Sequence, residues 1–487
     1  MKKILYIFSL ILTLLYTAYG QEPLSVHELQ KKEFGSQTLH KSLFSEDGRG
    51  IIPLQLDKAQ SSSAVFGYLP YWEYSSEKDF LQYDLLTHIA CFDFQADAAG
   101  GLSKPSYWPW TDVINQAHLH GVKVIMCVTN FTGSQITSLI STETSKQNLF
   151  SNIRNMIRQY SLDGVNIDFE GVLKADRGSA MNSFMTELSD TIHNALPGKE
   201  VSFAGPVINW GGWDLLGLAK ACDYIFVMGY DFYGAWSKTS GPGAPLYGNS
   251  QTDNITSALS STTYGYGNVI PAYSQKLILG VPYYGNRWQV DSDKSYAKAV
   301  KFVRSMLFRD EAFNAQKYGL KWDISSQTPW YCYKQDSVTW VQDWFDSDSS
   351  IGLKYSLAAL KKLKGVGMWA LGQDGSRTEL WDLLRKHVVA DVKDAGNTSP
   401  AGFALRQNYP NPFNPSTVIN YEIPVTSKVT LSVYDILGRE VAVLFDGEKS
   451  PGTYSQRFDG STFQSGVYLY RLVSGSFSAV KKFILIK

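Results

Sequence analysis

The stretch DGVNIDFE, residues 163–170, sets Asp163, Asp168 and Glu170 among Val165, Ile167 and Phe169. In a β-strand, residues two apart face the same side, roughly 6.5–7 Å from each other. Read as a strand, Asn166, Asp168 and Glu170 form one polar row, and Val165, Ile167 and Phe169 form an apolar row on the other face. A polar row on a buried strand is costly unless chemistry needs it. Asp163, just ahead of Gly164, reads as a capping or turn residue where a helix feeds the strand.

Runs of the same texture recur on both sides. They are VFGYLPY (65–71), LTHIACFDF (86–94), VKVIMCV (122–128), VSFAGP (201–206), YIFVMGYD (224–231), LILGVPYYG (277–285) and GVGMWALG (365–372). Amphipathic stretches such as WTDVINQAHLHG (110–121) and NSFMTELSDTIHNALPG (182–198) lie between them and end in Gly or Pro-Gly. Eight buried strands alternating with helices over residues 64–390 point to an α/β fold, a (β/α)8 TIM barrel. A doubly wound open sheet is the alternative, but no GxGxxG follows the first strand. The interval between the seventh and eighth strands is too long for one crossover. Its pieces LKWDIS, WYCYKQDSVTWVQDWF and LKYSLAALKKLKG predict a small α+β insertion over about 286–364, at the active-site end.

Residues 391–402 (DVKDAGNTSPAG) read as a linker. Beyond it, STVINYEI, KVTLSVYDI and GVYLYRLVSG alternate with turn residues, which predicts an all-β sandwich over 403–487. At the other end, Lys2 and Lys3 precede an apolar run, and Ala18-Tyr19-Gly20 offers small residues for cleavage, so residues 1–20 read as a signal peptide. A retained anchor is the alternative, but the run is short for a span. Residues 21–63 read as a polar, irregular leader. No later segment is apolar enough to cross a bilayer, so a secreted or cell-surface protein without a transmembrane segment in its mature chain is expected.

Lys+Arg and Asp+Glu both number 45, with no long basic run, so nucleic acid has no electrostatic footprint here. Cys91, Cys127, Cys222 and Cys332 form no CxxC pair; a Cys91–Cys127 bridge is open, and small buried thiols are the plainer reading. The seven histidines show no HExxH or other ligand spacing, and neither a metal nor another cofactor is expected.

Side chains at the C-terminal ends of barrel strands face the active site. Glu170 ends the fourth strand with Asp168 one pleat below; Met228, Tyr230 and Asp231 end the sixth; Tyr68 lies on the first and Trp369 on the eighth. Aromatic residues make up 14% of the chain, and Trp72, Trp210, Trp213, Tyr233, Trp236, Tyr284 and Trp288 follow these strand ends. Flat aromatic faces beside carboxylates suit pyranose rings. Any one of these aromatics could equally pack a loop onto the barrel rim. Glycosidic cleavage requires an acid to protonate the leaving oxygen and a group to stabilise an oxocarbenium-like centre. Glu170 is the candidate acid, because the neighbouring Asp168 and partial burial both raise its pKa.

DGVNIDFE resembles the DxxDxDxE signature of glycoside hydrolase family 18, the chitinase-like (β/α)8 hydrolases. MGYD at 228–231 resembles that family's sixth-strand MxYD, and GVPYYG and GVGMWALGQD resemble its seventh and eighth strands. The resemblance covers residues 64 to about 390. It implies retaining, substrate-assisted hydrolysis of glycans with β-linked N-acetylglucosamine, such as chitin or peptidoglycan. Glu170 would be the acid/base, Asp168 would hold the substrate's acetamido N–H, and Tyr230 would bond its carbonyl. Asp231 would assist in the sugar subsite, with Trp369 as its floor; Tyr68, Trp72, Asn166 and Met228 complete the expected binding set. Two departures stand out: Asn166 replaces the second signature acid, and CVTNFTGS follows the third strand where chitinases of the family show SxGG. Both look more like members acting on bacterial cell-wall or other N-acetylglucosamine glycans. A lectin-like barrel is the other class, although such members typically lose the acid. QNYPNPFNPSTVINYEIP, VYDILGREV and SGVYLYRL resemble the C-terminal sorting domain read by the type IX secretion machinery, the second expected partner.

Overall fold

The computed structural model describes residues 24–35, 50–55, 63–394, 403–406, 408, 411–475 and 477–486. The expected signal peptide, and residues 36–49, 56–62 and 395–402 of the expected leader and linker, lie outside the described residues. The chain divides into two compact units between Val388 and Val389.

In the first unit, eight parallel strands close into a ring: β1 (Ala64–Pro70), β2 (His88–Ala96), β3 (Lys123–Asn130), β4 (Gly164–Phe169), β5 (Glu200–Pro206), β6 (Tyr224–Met228), β7 (Leu277–Pro282) and β8 (Gly365–Trp369). Each pairs with its sequence neighbour, and β8 returns to β1 with Val65 opposite Val366. Several of the residues pointing inward are large and aromatic. Phe66, Tyr68 and Phe226 pack together at 4.9–5.4 Å between centroids, Tyr68 edge-on to both phenylalanines. A Cβ at Gly280 or at Gly367 would lie 2.3–2.5 Å from the Phe226 ring, so both strands need glycine beside it. The outward row of β4 packs on the helical layer, with Phe169 against Phe184.

The excursion after β7 is a five-stranded antiparallel sheet. Its order is Ala299–Leu307, Tyr284–Val290, Trp340–Phe345, Thr328–Lys334 and Lys321–Asp323, with helix Phe308–Tyr318 packed on it. Trp288, Trp330 and Trp344 form a separate small core there. The helix Asp348–Leu360, expected as part of this insertion, instead packs on β7 and β8 and is the barrel's own crossover. The last helix, Glu379–Asp394, runs into the stretch expected as linker.

The second unit is a sandwich. A three-stranded sheet (404–405, 416–423, 452–459) and a four-stranded sheet (440–449, 427–434, 466–474, 477–485) share one core of Ile419, Tyr421, Leu431, Val433, Leu472 and Phe483. Along Ser416–Ile423, buried positions alternate with more exposed ones, the period expected of a strand with one wet face. All four cysteines are buried free thiols, and the possible Cys91–Cys127 bridge is not formed.

One element was not anticipated. Within the leader read as irregular, Val26–Phe34 form a helix, α1, with His27 and Gln30 fully buried. Ser25 caps it by accepting the Glu28 N–H at 3.2 Å, and Lys32 pairs with Glu28 one turn back at 2.8 Å. Serine followed three residues later by glutamate is a helix-start signal. α1 lies in the barrel mouth.

Candidate active site

The strand reading places the polar row of β4 inward, and the structure agrees. Asn166 and Asp168 are fully buried inside the barrel, and Glu170 follows at its rim. Asp163 sits at the opposite end of the strand and serves structure. It accepts from Val124 N–H (2.9 Å), His118 (2.9 Å) and Lys199 (3.0 Å). Burial pushes its carboxyl up, but His118, Lys199 and the Val124 N–H outweigh that and hold it below the usual range.

Asp168, Glu170, Tyr230, Asp231 and Trp369 come together around one point, and a side chain of α1 fills it. His27 Nδ1 lies 2.6 Å from Glu170 Oε1 and 3.1 Å from Asp168 Oδ2, while Nε2 donates to the Tyr230 hydroxyl at 3.0 Å. The imidazole also lies over Trp369, with ring centroids 3.7 Å apart. Burial alone would depress its pKa; Glu170 and Asp168 reverse this and raise it to about 10. His27 is therefore an imidazolium at neutral pH, donating from both nitrogens. The ligand atoms of His27, Asp168 and Glu170 lie within 4.8 Å of one another, a spacing a cation could also use.

Burial pushes the Glu170 carboxyl up; His27 opposes this, and Asp168 adds to it. Asp168 Oδ1 is buried without a hydrogen-bond partner. Asp231, which burial also pushes up, accepts from the Tyr284 hydroxyl at 2.6 Å and from the Val26 N–H at 3.1 Å. Its backbone is left-handed, with φ +64°, a strained conformation for a non-glycine residue. Burial raises the Tyr230 phenol well above its ordinary pKa, so it stays a donor.

Asn166, expected in the binding set, spends its amide inside the barrel and makes no hydrogen bond to Asp168. Its Oδ1 accepts from the Tyr68 hydroxyl at 2.8 Å, and its Nδ2 donates to Ser202 Oγ at 2.9 Å. Tyr68 reaches it from β1 across the barrel interior and Ser202 is its register partner on the adjacent β5, whereas Asp168 is one pleat further along the same strand. Trp72 is buried against Phe92 and Trp369. Met228 lines a cavity of about 170 Å³ beside Glu170, together with Trp210, which is 69% exposed. Among the aromatics expected to line a cleft, Trp288 is fully buried in the core of the inserted sheet and cannot touch a ligand.

Sequence reasoning missed His27, Gln30, Lys31 and Asp93. Gln30 Oε1 accepts from Trp369 Nε1 (2.9 Å) and Gln373 Nε2 (2.6 Å), and Gln30 Nε2 donates to Ser305 Oγ (3.0 Å). Lys31 is paired with Asp93, which also accepts from Thr129 at 2.8 Å. The one available signal was Ser25-x-x-Glu28.

A closed parallel barrel with paired acids at the C-terminal end of β4 defines a barrel hydrolase. Residues 64–374 match the glycosyl hydrolases family 18, and the chain belongs to that family. Residues 407–487 match a secretion system C-terminal sorting domain, that of type IX secretion, so the protein is extracellular or at the cell surface. Human di-N-acetylchitobiase is 26% identical over 268 residues, covering 48% of this chain and 66% of that protein. The cortical fragment-lytic enzyme of Bacillus subtilis is 25% identical over 305 residues, covering 59% of this chain and 65% of that one. The chain thus spans about two thirds of the length of these relatives. In fold it is similar to a group IV chitinase of Ostrinia furnacalis, with a TM-score of 0.57 at 20% identity, covering 67% of this chain and 100% of that one. It is likewise similar to a chitinase of Cycas revoluta bound to (GlcNAc)3, with a TM-score of 0.58 at 19% identity over 68% of this chain and all of that one.

Proposed function

We propose that the protein is a secreted glycosidase that cleaves β-linked N-acetylglucosamine glycans by substrate-assisted retention. The observation that carries this reading is the pairing of Glu170 and Asp168 at the barrel mouth: one carboxyl pushed up by burial, the other with a buried oxygen lacking a partner.

In this reading, Glu170 protonates the leaving glycosidic oxygen. The substrate's own acetamido carbonyl attacks C1 as the bond to the leaving sugar breaks, forming an oxazolinium ion. Asp168 accepts the acetamido N–H and aligns the group, and the Tyr230 hydroxyl donates to its carbonyl. Glu170, now a carboxylate, takes a proton from the water that opens the ring, which restores the acid and retains configuration. Trp369 offers the flat face beneath the sugar. Among relatives, the name of one states chitobiose cleavage and that of another lysis of cortical fragments, so both chitin-like and cell-wall glycans are candidates.

The test is a side-by-side product assay on chitin oligomers, peptidoglycan and an N-glycan, using chain from which residues 24–35 have been deleted. Release of reducing N-acetylglucosamine ends from at least one substrate supports the reading. Binding to all three without cleavage would assign a lectin-like barrel instead.

A further inference from the structure

The site built above is occupied by the chain itself. Residues 26–31 of α1 engage nearly every group that a sugar would meet. The Val26 N–H takes Asp231; His27 takes Asp168, Glu170, Tyr230 and the Trp369 face; Gln30 takes the Trp369 indole N–H; Lys31 takes Asp93. We propose that α1 is an autoinhibitory plug, a peptide ligand carried in cis that holds the enzyme latent until the helix is displaced or removed. This rests on the site being the glycan site of the proposed function.

Three features separate a plug from ordinary packing. The first is charge. The mouth presents Asp93, Asp168, Glu170 and Asp231, and α1 meets them with Lys31, with a protonated His27, and with the positive end of its own dipole at Asp231. Glu33 pairs with Arg304 of the inserted sheet at 2.7 Å, so complementarity continues past the acids. The second is polarity. His27 and Gln30 are fully buried, and burying a cation or an amide is costly without partners. Here the partners come from the inner face of the site and its wall, so the bonds that hold α1 also consume the groups that would hold substrate. The third is space. With α1 in place, the cavity beside Glu170 is about 170 Å³, below the roughly 300–1,000 Å³ of sites that hold drug-sized ligands. A larger cavity of about 530 Å³ opens on the other side of the helix, against Lys31, Lys32 and Tyr71, and does not reach the acids.

A single cut between Gly35 and Ala64 would turn this intramolecular contact into a bimolecular one. The helix would then lose the effective concentration, commonly millimolar, that a short tether supplies. Proteolysis between α1 and β1 thus favours release of the helix without changing any barrel residue.

The experiment compares three chains on p-nitrophenyl chitobioside: intact, with residues 24–35 deleted, and His27→Asp in the intact chain. His27→Asp sets a third carboxylate against Asp168 and Glu170 and expels the helix without touching the barrel, which covers a deletion that fails to fold. Both altered chains should gain at least ~10-fold in kcat/KM, and a synthetic peptide of residues 24–35 should inhibit the deleted form competitively. Equal rates in all three, with no inhibition by the peptide, would overturn the plug and leave the glycosidase reading standing. If no chain cleaves any glycan, the glycosidase reading fails, and peptide titration of the deleted form decides the plug. Saturable quenching of tryptophan fluorescence then supports it, and no binding refutes it.

Discussion

His27 Nδ1 and Glu170 Oε1 lie 2.6 Å apart in the mouth of the barrel, so a residue of the leader is salt-bridged to the group proposed as catalytic acid. That contact couples the state of the leader to the chemistry of the site, and it titrates.

The attachment of α1 should weaken in alkali. His27 has an ordinary pKa of 6.5 when detached and about 10 when bound. A raised pKa contributes stability in full below 6.5 and loses it as pH rises through 10. The charged or titratable groups around His27 are Asp168, Glu170, Tyr230 and, held by the adjacent Val26 N–H, Asp231; the rings of Tyr68, Phe92 and Trp369 complete its surroundings, and Lys31 on the same helix is engaged by Asp93. Affinity of the 24–35 peptide for the helix-deleted chain should fall by up to ~10-fold per pH unit across that window. Titration by tryptophan fluorescence at pH 6, 7, 8 and 9 checks it, and a flat profile would remove His27 as the anchor.

Asn166 should act on stability. Replacing it by leucine leaves the Tyr68 hydroxyl without its partner inside the barrel, at a cost of about 1–3 kcal/mol, while Ser202 Oγ keeps its bond to the Val165 carbonyl. The denaturant midpoint of Asn166→Leu should drop accordingly. An unchanged midpoint would mean that the interior relaxes around the loss.

Much of the fold was legible because it is written in local periodicity. The eight barrel strands lie where apolar runs of strand length fall, and alternation separates the two rows of β4, with the barrel rule for strand ends saying which faces the site. The sandwich strands are legible for the same reason. What escaped depended on partners distant in sequence. α1 carries Lys31, Lys32, Glu28 and Glu33 and only a few apolar residues, so nothing in its composition announced burial. Its stability comes from Asp93, Asp168, Glu170 and Trp369, which only the closed barrel brings together. The Asn166 partners were missed likewise, since strand spacing gives neighbours along a strand but neither Ser202 in register on the next strand nor Tyr68 across the barrel. Trp288 was misassigned because a strand in the inserted sheet buries it.

Substrates without a 2-acetamido group should not turn over, because their nucleophile would be missing. In the proposed mechanism Asp168, whose Oδ1 is buried and unpartnered, accepts that N–H. Rates on a cello-oligosaccharide should be at background when the chitin oligomer of equal length is cleaved. Efficient cleavage of both would point to an enzymic nucleophile, with Asp231 the first candidate.

Deleting residues 403–487 from the helix-deleted chain should leave the barrel folded and as active as its parent, and deleting them from the intact chain should change where the enzyme ends up. The two units have separate cores, and the division falls upstream of the deleted segment. Secretion assays of the truncated chain should find it retained in the cell. An insoluble or inactive product would make the sandwich part of the catalytic unit.

The most direct measurement is the rate of the helix-deleted chain on p-nitrophenyl chitobioside with Glu170 and with Glu170→Gln. Working without α1 matters, because the substitution also removes a salt bridge that holds the helix and would otherwise mix release of the plug with loss of the acid. The amide keeps the shape of the side chain but cannot give up a proton, so kcat should fall by at least ~10²-fold while KM stays close to its original value. A Glu170→Gln chain that turns over at the parent rate would contradict the account and move the acid elsewhere in the barrel mouth.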